Sequence, residues 1–177
     1  LVFVVQVFDE VVDANTLKAA YPEADLGIWG VWDHYLFRYL EKRLAGQGKD
    51  QPLFVFVLSS TNHPPYDLPS DYQRVARDKA LWKGETSADT LWLNLDSYHY
   101  ATDLLGAFVQ RVQQGLLATD TVVAATGDHN VRSFGLYATA DRRYLQRQVP
   151  FLIWNAGVPC GVQQDLPASH RDMFDTL

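Results

Sequence analysis

Cysteine is almost absent. Cys160 stands alone in 177 residues, so neither an intrachain disulfide nor a cysteine metal cluster can form. One thiol suits reducing and oxidising compartments alike, and Cys160 reads as a small apolar filler near a turn. Positive charge is also in short supply. The net charge is −6, without a basic cluster, which argues against a nucleic-acid surface and its cationic footprint. No apolar run approaches the ~20 residues of a membrane span, and no signal peptide is visible. Residues 1–8 are apolar but far shorter, and they read as a strand. Internal repeats, low-complexity tracts and inter-domain linkers are missing too. What remains is a chain of one ordinary domain's length, 47% hydrophobic, with enough apolar content for a sizeable core.

Two loops carry the chemistry. Residues 121–126 are an apolar β-type run, and Gly127-Asp128-His129-Asn130 follows directly. A carboxylate and an imidazole are thereby placed on the loop leaving the C-terminal end of a buried strand, where open α/β sheets build their ligand sites. Asp oxygen and His nitrogen suit a borderline divalent cation such as zinc or manganese. The same four residues also make an acceptable turn. The second loop repeats the design. Residues 52–58 form a continuous apolar run suited to a strand covered on both faces, and Ser59-Ser60-Thr61-Asn62-His63-Pro64-Pro65-Tyr66 follows. Its two prolines turn the chain away from ladder pairing and leave His63 at the sheet edge. A turn or capping histidine is the plain alternative. If the two strands are neighbours, His63 and the Asp128–His129 pair face one crevice.

The rest of the chain alternates in kind. Trp32, Tyr35, Leu36, Tyr39, Leu40 and Leu44 recur at helical spacing over 32–44, and Gly46 and Gly48 end that helix. Residues 8–13 read as a turn into an irregular polar segment, and 67–95 as an excursion from the sheet without clear period. A longer helix is predicted over 97–114, with Tyr98, Ala101, Leu104, Leu105, Phe108, Val109 and Val112 as its apolar stripe and Gly115 as C-cap. Residues 150–154 make another strand. Ser169 and Asp172 stand at capping-box spacing, with Asp in place of the usual Glu. Strands separated by helices predict an α/β layer fold with a mainly parallel sheet flanked by helices.

Several ordered stretches carry a family resemblance. Thr61-Asn62-His63-Pro64-Pro65-Tyr66 and Thr126-Gly127-Asp128-His129-Asn130 resemble motifs of the sulfatase-like branch of the alkaline phosphatase superfamily, nearest the lipoteichoic acid synthase or phosphoglycerol transferase family. Trp29-Gly30-Val31-Trp32-Asp33, Tyr100-Ala101-Thr102-Asp103-Leu104-Leu105-Gly106-Ala107-Phe108 and Val149-Pro150-Phe151-Leu152-Ile153 agree in order. Ser169-His170-Arg171-Asp172-Met173-Phe174-Asp175-Thr176-Leu177 is similar to the family's closing helix, with Asp175 where the family has Pro.

The resemblance implies that residues 1–177 are the C-terminal portion of a single sulfatase-like catalytic domain. An acidic ligand and a Ser or Thr nucleophile then precede Leu1. Asp128 and His129 are the remaining ligands of one divalent cation, Mn2+ or Zn2+ rather than Mg2+ or Ca2+, and His63 holds the substrate phosphate. Trp29 and Asp33 match positions lining the substrate pocket or entering its helix, and Arg132 is either a solvated side chain or a further candidate contact to a phosphate oxygen through its guanidinium fork. Ser59, Ser60 and Thr61 have no evident activating base, and His170 and Asp172 read as structural. His34 and His99 read as surface or boundary residues.

The implied activity is metal-dependent phosphoglycerol-type transfer, or phosphodiester hydrolysis, on membrane phospholipid head groups. The domain is then expected outside the bacterial cytoplasmic membrane, on an N-terminal anchor not in this chain. Sulfatases typically have Asn where His129 stands, which favours phosphoryl transfer here and leaves sulfuric ester hydrolysis as the alternative. A non-catalytic module that binds an envelope lipid or glycan is a second alternative.

Overall fold

The computed structural model describes residues 8–48, 51–76, 78, 88–117, 120–131, 145–154, 161 and 168–177. It divides into two compact units, Leu1–Arg111 and Val112–Leu177.

The first unit begins with a helix in the segment read as irregular. Helix α1 spans Ala14–Ala20. Asp13 caps it: one carboxylate oxygen accepts from the Thr16 N–H and from the Thr16 hydroxyl, both at 2.8 Å. Those two bonds, the backbone one first, hold the Asp13 carboxyl below its ordinary range. Leu17 of α1 joins Tyr21, Ala24 and Val31 in a buried cluster, and Val12, Tyr35, Leu36 and Tyr39 pack against it. The Arg38 guanidinium and Lys42 ammonium stand 4.8 and 4.9 Å from the Tyr21 ring centroid, within range for attraction to the ring face.

A minimal hairpin follows. Strands β1 (Leu26–Gly27) and β2 (Gly30–Val31) pair antiparallel, leaving Ile28 and Trp29 as a two-residue loop. Two glycines make this possible. Gly30 has φ +126°, and a Cβ on Gly27 would lie 2.8 Å from the Trp32 ring. Helix α2 (Asp33–Ala45) starts immediately after, as the spacing predicts, and buries Phe37, Leu40 and Leu44 along one face. Its Phe37 ring meets Phe108 at 5.7 Å between centroids, and Arg111 pairs with Glu41 at 2.9 Å.

Helix α3 (Ala88–Gln113) starts nine residues before the predicted 97. Its first turns bury Leu91 and Trp92, but also Asn94, Asp96 and Ser97. Those buried polar groups interrupt the apolar period and disguise the helix. Further on, Phe108, Val109 and Val112 are buried as the stripe requires, while Tyr98 is 51% exposed and Tyr100 takes the inner position. No helix among the described residues is long and apolar enough to cross a membrane.

The expected strand at 53–58 forms no ladder among the described residues. Phe8 stacks on Phe54 at 6.3 Å and on Phe56 at 6.4 Å, so alternate side chains share a face, as in an extended chain. Residues 1–7 of the other predicted strand lie outside the described residues.

In the second unit, β3 (Val123–Thr126) pairs antiparallel with β4 (Phe151–Trp154), with Val123 opposite Trp154 and Thr126 opposite Phe151. Both described ladders are antiparallel. The parallel pairing expected from strands alternating with helices also involves residues 1–7, outside the described residues, and 53–58, which form no described ladder. A single 3-10 turn occupies 145–147. The closing segment is a 3-10 turn, His170–Asp172, running into helix α4 (Met173–Thr176). The Ser169/Asp172 capping box is complete: the Ser169 N–H donates to Asp172 at 2.6 Å, and the Ser169 hydroxyl oxygen accepts from the Arg171 N–H at 3.3 Å.

Candidate functional site

Trp29 and His63, 34 positions apart, are brought into ring contact, with centroids 3.9 Å apart. The hairpin presents Trp29 at its tip, and the loop after residue 58 presents His63. A turn closed by the Tyr66 N–H on the His63 carbonyl at 2.8 Å fixes the loop's exit. The Pro64–Pro65 peptide within it is cis, and Tyr66, at φ 66°, is the one non-glycine residue with positive φ among those described.

The Pro64 carbonyl is the hub of the pair. It accepts the Trp29 indole N–H at 2.7 Å and faces His63 Nδ1 at 3.1 Å. A carbonyl oxygen can only accept, so Nδ1 carries a proton and Nε2 is the nitrogen left for a ligand. The same hollow is lined by Gly27, Trp32, Thr61 and Asp67.

The backbone behind His63 is gripped from two sides. Asp33, the first residue of α2 and 1% exposed, accepts the Ser60 N–H at 2.9 Å and the Thr61 N–H at 3.2 Å. The Asp33 N–H in turn donates to the Thr61 hydroxyl at 3.3 Å. On the other side, Asn62 Oδ1 accepts from Asn94 Nδ2 at 3.1 Å and from the Ser97 hydroxyl at 2.8 Å. The sequence pattern does not mark this network: Asn94 falls in the segment read as an excursion without clear period, and Ser97 stands at the predicted helix start, outside the apolar stripe. Thr61, 5% exposed and engaged with Asp33, is thus a structural hydroxyl rather than a nucleophile.

In the second unit, Asp128 and His129 stand on the loop after β3, as predicted. Asp128 Oδ1 accepts the His129 N–H at 2.8 Å. His129 Nδ1 faces the Asn130 carbonyl at 3.0 Å, which assigns the proton to Nδ1 and leaves the Nε2 lone pair open. Asp128 Oδ2 lies 3.4 Å from that Nε2, and both side chains are well exposed. Bonds of ~2.0–2.1 Å separate two ligand atoms by roughly 2.8–3.0 Å at octahedral angles and roughly 3.3–3.4 Å at tetrahedral ones. The pair therefore fits two positions on one divalent cation. No group of three or more His, Cys, Asp or Glu residues suited to a metal occurs among the described residues. His170 Nε2 approaches the Gly127 carbonyl at 2.8 Å and braces the loop. Asn130 braces it again: Nδ2 donates to the Leu145 carbonyl at 2.8 Å, and Oδ1 accepts the Val131 N–H at 2.7 Å. Arg132 and Cys160 lie outside the described residues.

His34 and His99 face tyrosines. His34 Nδ1 is 2.7 Å from the Tyr100 hydroxyl and His99 Nδ1 is 2.9 Å from that of Tyr72. Burial pushes the Tyr100 hydroxyl up and holds His34 below its ordinary range.

Comparison with known proteins places the chain in a class. A solved protein of the alkaline phosphatase superfamily from Vibrio parahaemolyticus superposes with a TM-score of 0.54 at 24% identity, over 85% of this chain and 33% of that one. The two share a fold, and this chain spans about a third of that protein's length. The family profile named Sulfatase matches residues 2–177, and the chain belongs to the sulfatase family.

Proposed function

We propose that the chain is the C-terminal portion of a single catalytic domain that transfers or hydrolyses the phosphodiester of a phospholipid head group, in the manner of the phosphoglycerol transferases. The observation that carries this reading is the Asp128–His129 pair. A carboxylate oxygen and an imidazole lone pair stand 3.4 Å apart, with the histidine tautomer set by a backbone carbonyl. The motifs shared with the lipoteichoic acid synthase group support the branch. In the sulfatase branch the second residue of this pair is typically Asn, which accompanies calcium; His129 favours Mn2+ or Zn2+.

Asp128 and His129 would hold the cation, which when bound supplies Lewis acidity and lowers the pKa of a coordinated hydroxyl. The chain's own groups do the remainder. With Nδ1 on Pro64, His63 presents Nε2 to a non-bridging phosphoryl oxygen, and its imidazolium form donates there. That donation grows in value as negative charge builds on the oxygen. Trp29, tied to the same carbonyl, restricts the imidazole to one approach. Arg132 is a further candidate contact to phosphate oxygens. Asp67 also lines the hollow beside His63. The nucleophile and the remaining cation ligands belong to other parts of the domain. The working location is the outer face of the bacterial cytoplasmic membrane, reached through an N-terminal anchor.

Sulfate-ester hydrolysis is the second reading, favoured by the family match over residues 2–177. The test is turnover by the full-length protein, supplied with Mn2+ or Zn2+, of a phosphatidylglycerol analogue and of an aryl sulfate. The proposal requires the first to be consumed faster. Preference for the aryl sulfate makes it a sulfatase, and turnover of neither supports a binding module.

A further inference from the structure

We infer that Asp33 is the positioning residue that fixes His63 against Trp29. The inference rests on the reading of His63 as a substrate contact.

Asp33 links the two pieces of backbone that carry those rings. It stands four residues after Trp29, at the head of α2. Its two carboxylate oxygens take two consecutive amides, Ser60 and Thr61, just ahead of His63. The Thr61 hydroxyl returns a bond to the Asp33 N–H, one of the N–H groups that a helix start leaves without an intrahelical partner. Five groups thus satisfy one another across 27 or 28 positions of sequence, and the carboxylate lies where a helix N-terminus favours negative charge. A carboxylate with 1% exposure is costly unless its acceptor sites are filled, and here both oxygens are used.

The consequence for chemistry is specific. The Ser60 and Thr61 amides are committed to Asp33 and do not serve as donors to a phosphoryl oxygen. His63 is then the donor this loop offers, and its placement depends on the grip behind it. Asn62, held by Asn94 and Ser97 on α3, limits the loop from the other side. The loop's freedom therefore converges on one residue.

Asp33→Asn removes one of the two acceptors and sets an amide N–H against a backbone N–H, leaving a buried donor unsatisfied. Thr61→Val removes the hydroxyl at nearly constant shape, and Thr61→Ser restores it. The first measurement, on the full-length protein, is the NMR shift of the His63 imidazole protons, which the Trp29 ring current displaces at 3.9 Å. Trp29→Leu supplies the value without that ring. Asp33→Asn and Thr61→Val are expected to move the His63 signals toward that value, and Thr61→Ser to return them. The second is a double-mutant cycle with the phosphodiester analogue. Asp33→Asn is expected to lower kcat/KM by on the order of 10–100-fold, yet to add little to His63→Ala, because both act through one group.

Unchanged His63 signals in a folded Asp33→Asn protein overturn the inference, as does full additivity with His63→Ala. If Asp33→Asn fails to fold, the Thr61→Val and Thr61→Ser pair decides by the same signals. Wild-type protein that turns over no phosphodiester refutes the proposed reaction, while the imidazole signals still judge the role of Asp33.

Discussion

The Trp29 indole N–H and the His63 Nδ1 converge on one acceptor, the Pro64 carbonyl, at 2.7 and 3.1 Å. This shared bond turns a flexible imidazole into a directed one. His63→Ala should leave bound metal unchanged and lower kcat on phosphodiester substrate by about 10²–10³-fold, the usual cost of losing one donor to a developing oxyanion. Metal analysis and steady-state kinetics on the same preparation check both halves. Near-wild-type kcat would remove His63 from the site.

Asn130 acts through the loop rather than on the cation. Its side chain bridges Leu145 and Val131, fixing the carbonyl that orients His129. Asn130→Ala should weaken metal binding by roughly 10–100-fold, as loss of an outer-shell partner does. Titration of the metal-free protein with Mn2+ or Zn2+ measures this. An unaltered affinity would mean that the loop holds its shape without the bridge.

The stability of the first unit should depend on pH through His34. Burial is the main cause that lowers its pKa from the ordinary 6.5; Arg38 adds to it, and Asp71 and Asp33 oppose it. With the folded value depressed, the unfolded chain takes up a proton first, so stability falls as pH drops from about 6.5 toward the folded value. His34→Gln should flatten the urea midpoint between about pH 7 and 5. The same slope in mutant and wild type would assign the acid sensitivity elsewhere.

Phe108 tests the packing that carries the His63 loop. It is 5% exposed and meets Phe37 at 5.7 Å. Phe108→Ala should cost about 3–5 kcal/mol, the range for aromatic truncation in a core, read from denaturant unfolding. A loss under about 1 kcal/mol would mean that the α2–α3 contact contributes little.

Much of this could be read in the sequence. The apolar period placed α2 within a residue at either end, and the runs at 121–126 and 150–154 placed β3 and β4. The Ser169/Asp172 spacing gave a capping box that formed with Asp instead of Glu. Legibility failed where tertiary bonds use polar residues inside an element. Asn94 and Ser97 are buried to hold Asn62, and Asp96 pairs with Arg74 at 3.2 Å, so the start of α3 looked aperiodic. Helix α1 was overlooked although Asp13 and Thr16 stand at N-cap spacing, because its seven residues are too few to show a stripe. The residue types of His63, Asp128 and His129 are what carry the proposed chemistry. The role of Asp33 was not visible, since its partners are backbone amides far along the chain, and amides carry no sequence signal.

The central claim is that Asp128 and His129 share a divalent cation, and metal content is its most direct measure. Full-length protein prepared with Mn2+ or Zn2+ should retain one equivalent of metal per catalytic domain, and both Asp128→Ala and His129→Ala should lose it while remaining folded by circular dichroism. Wild-type metal content in those two variants would contradict the account.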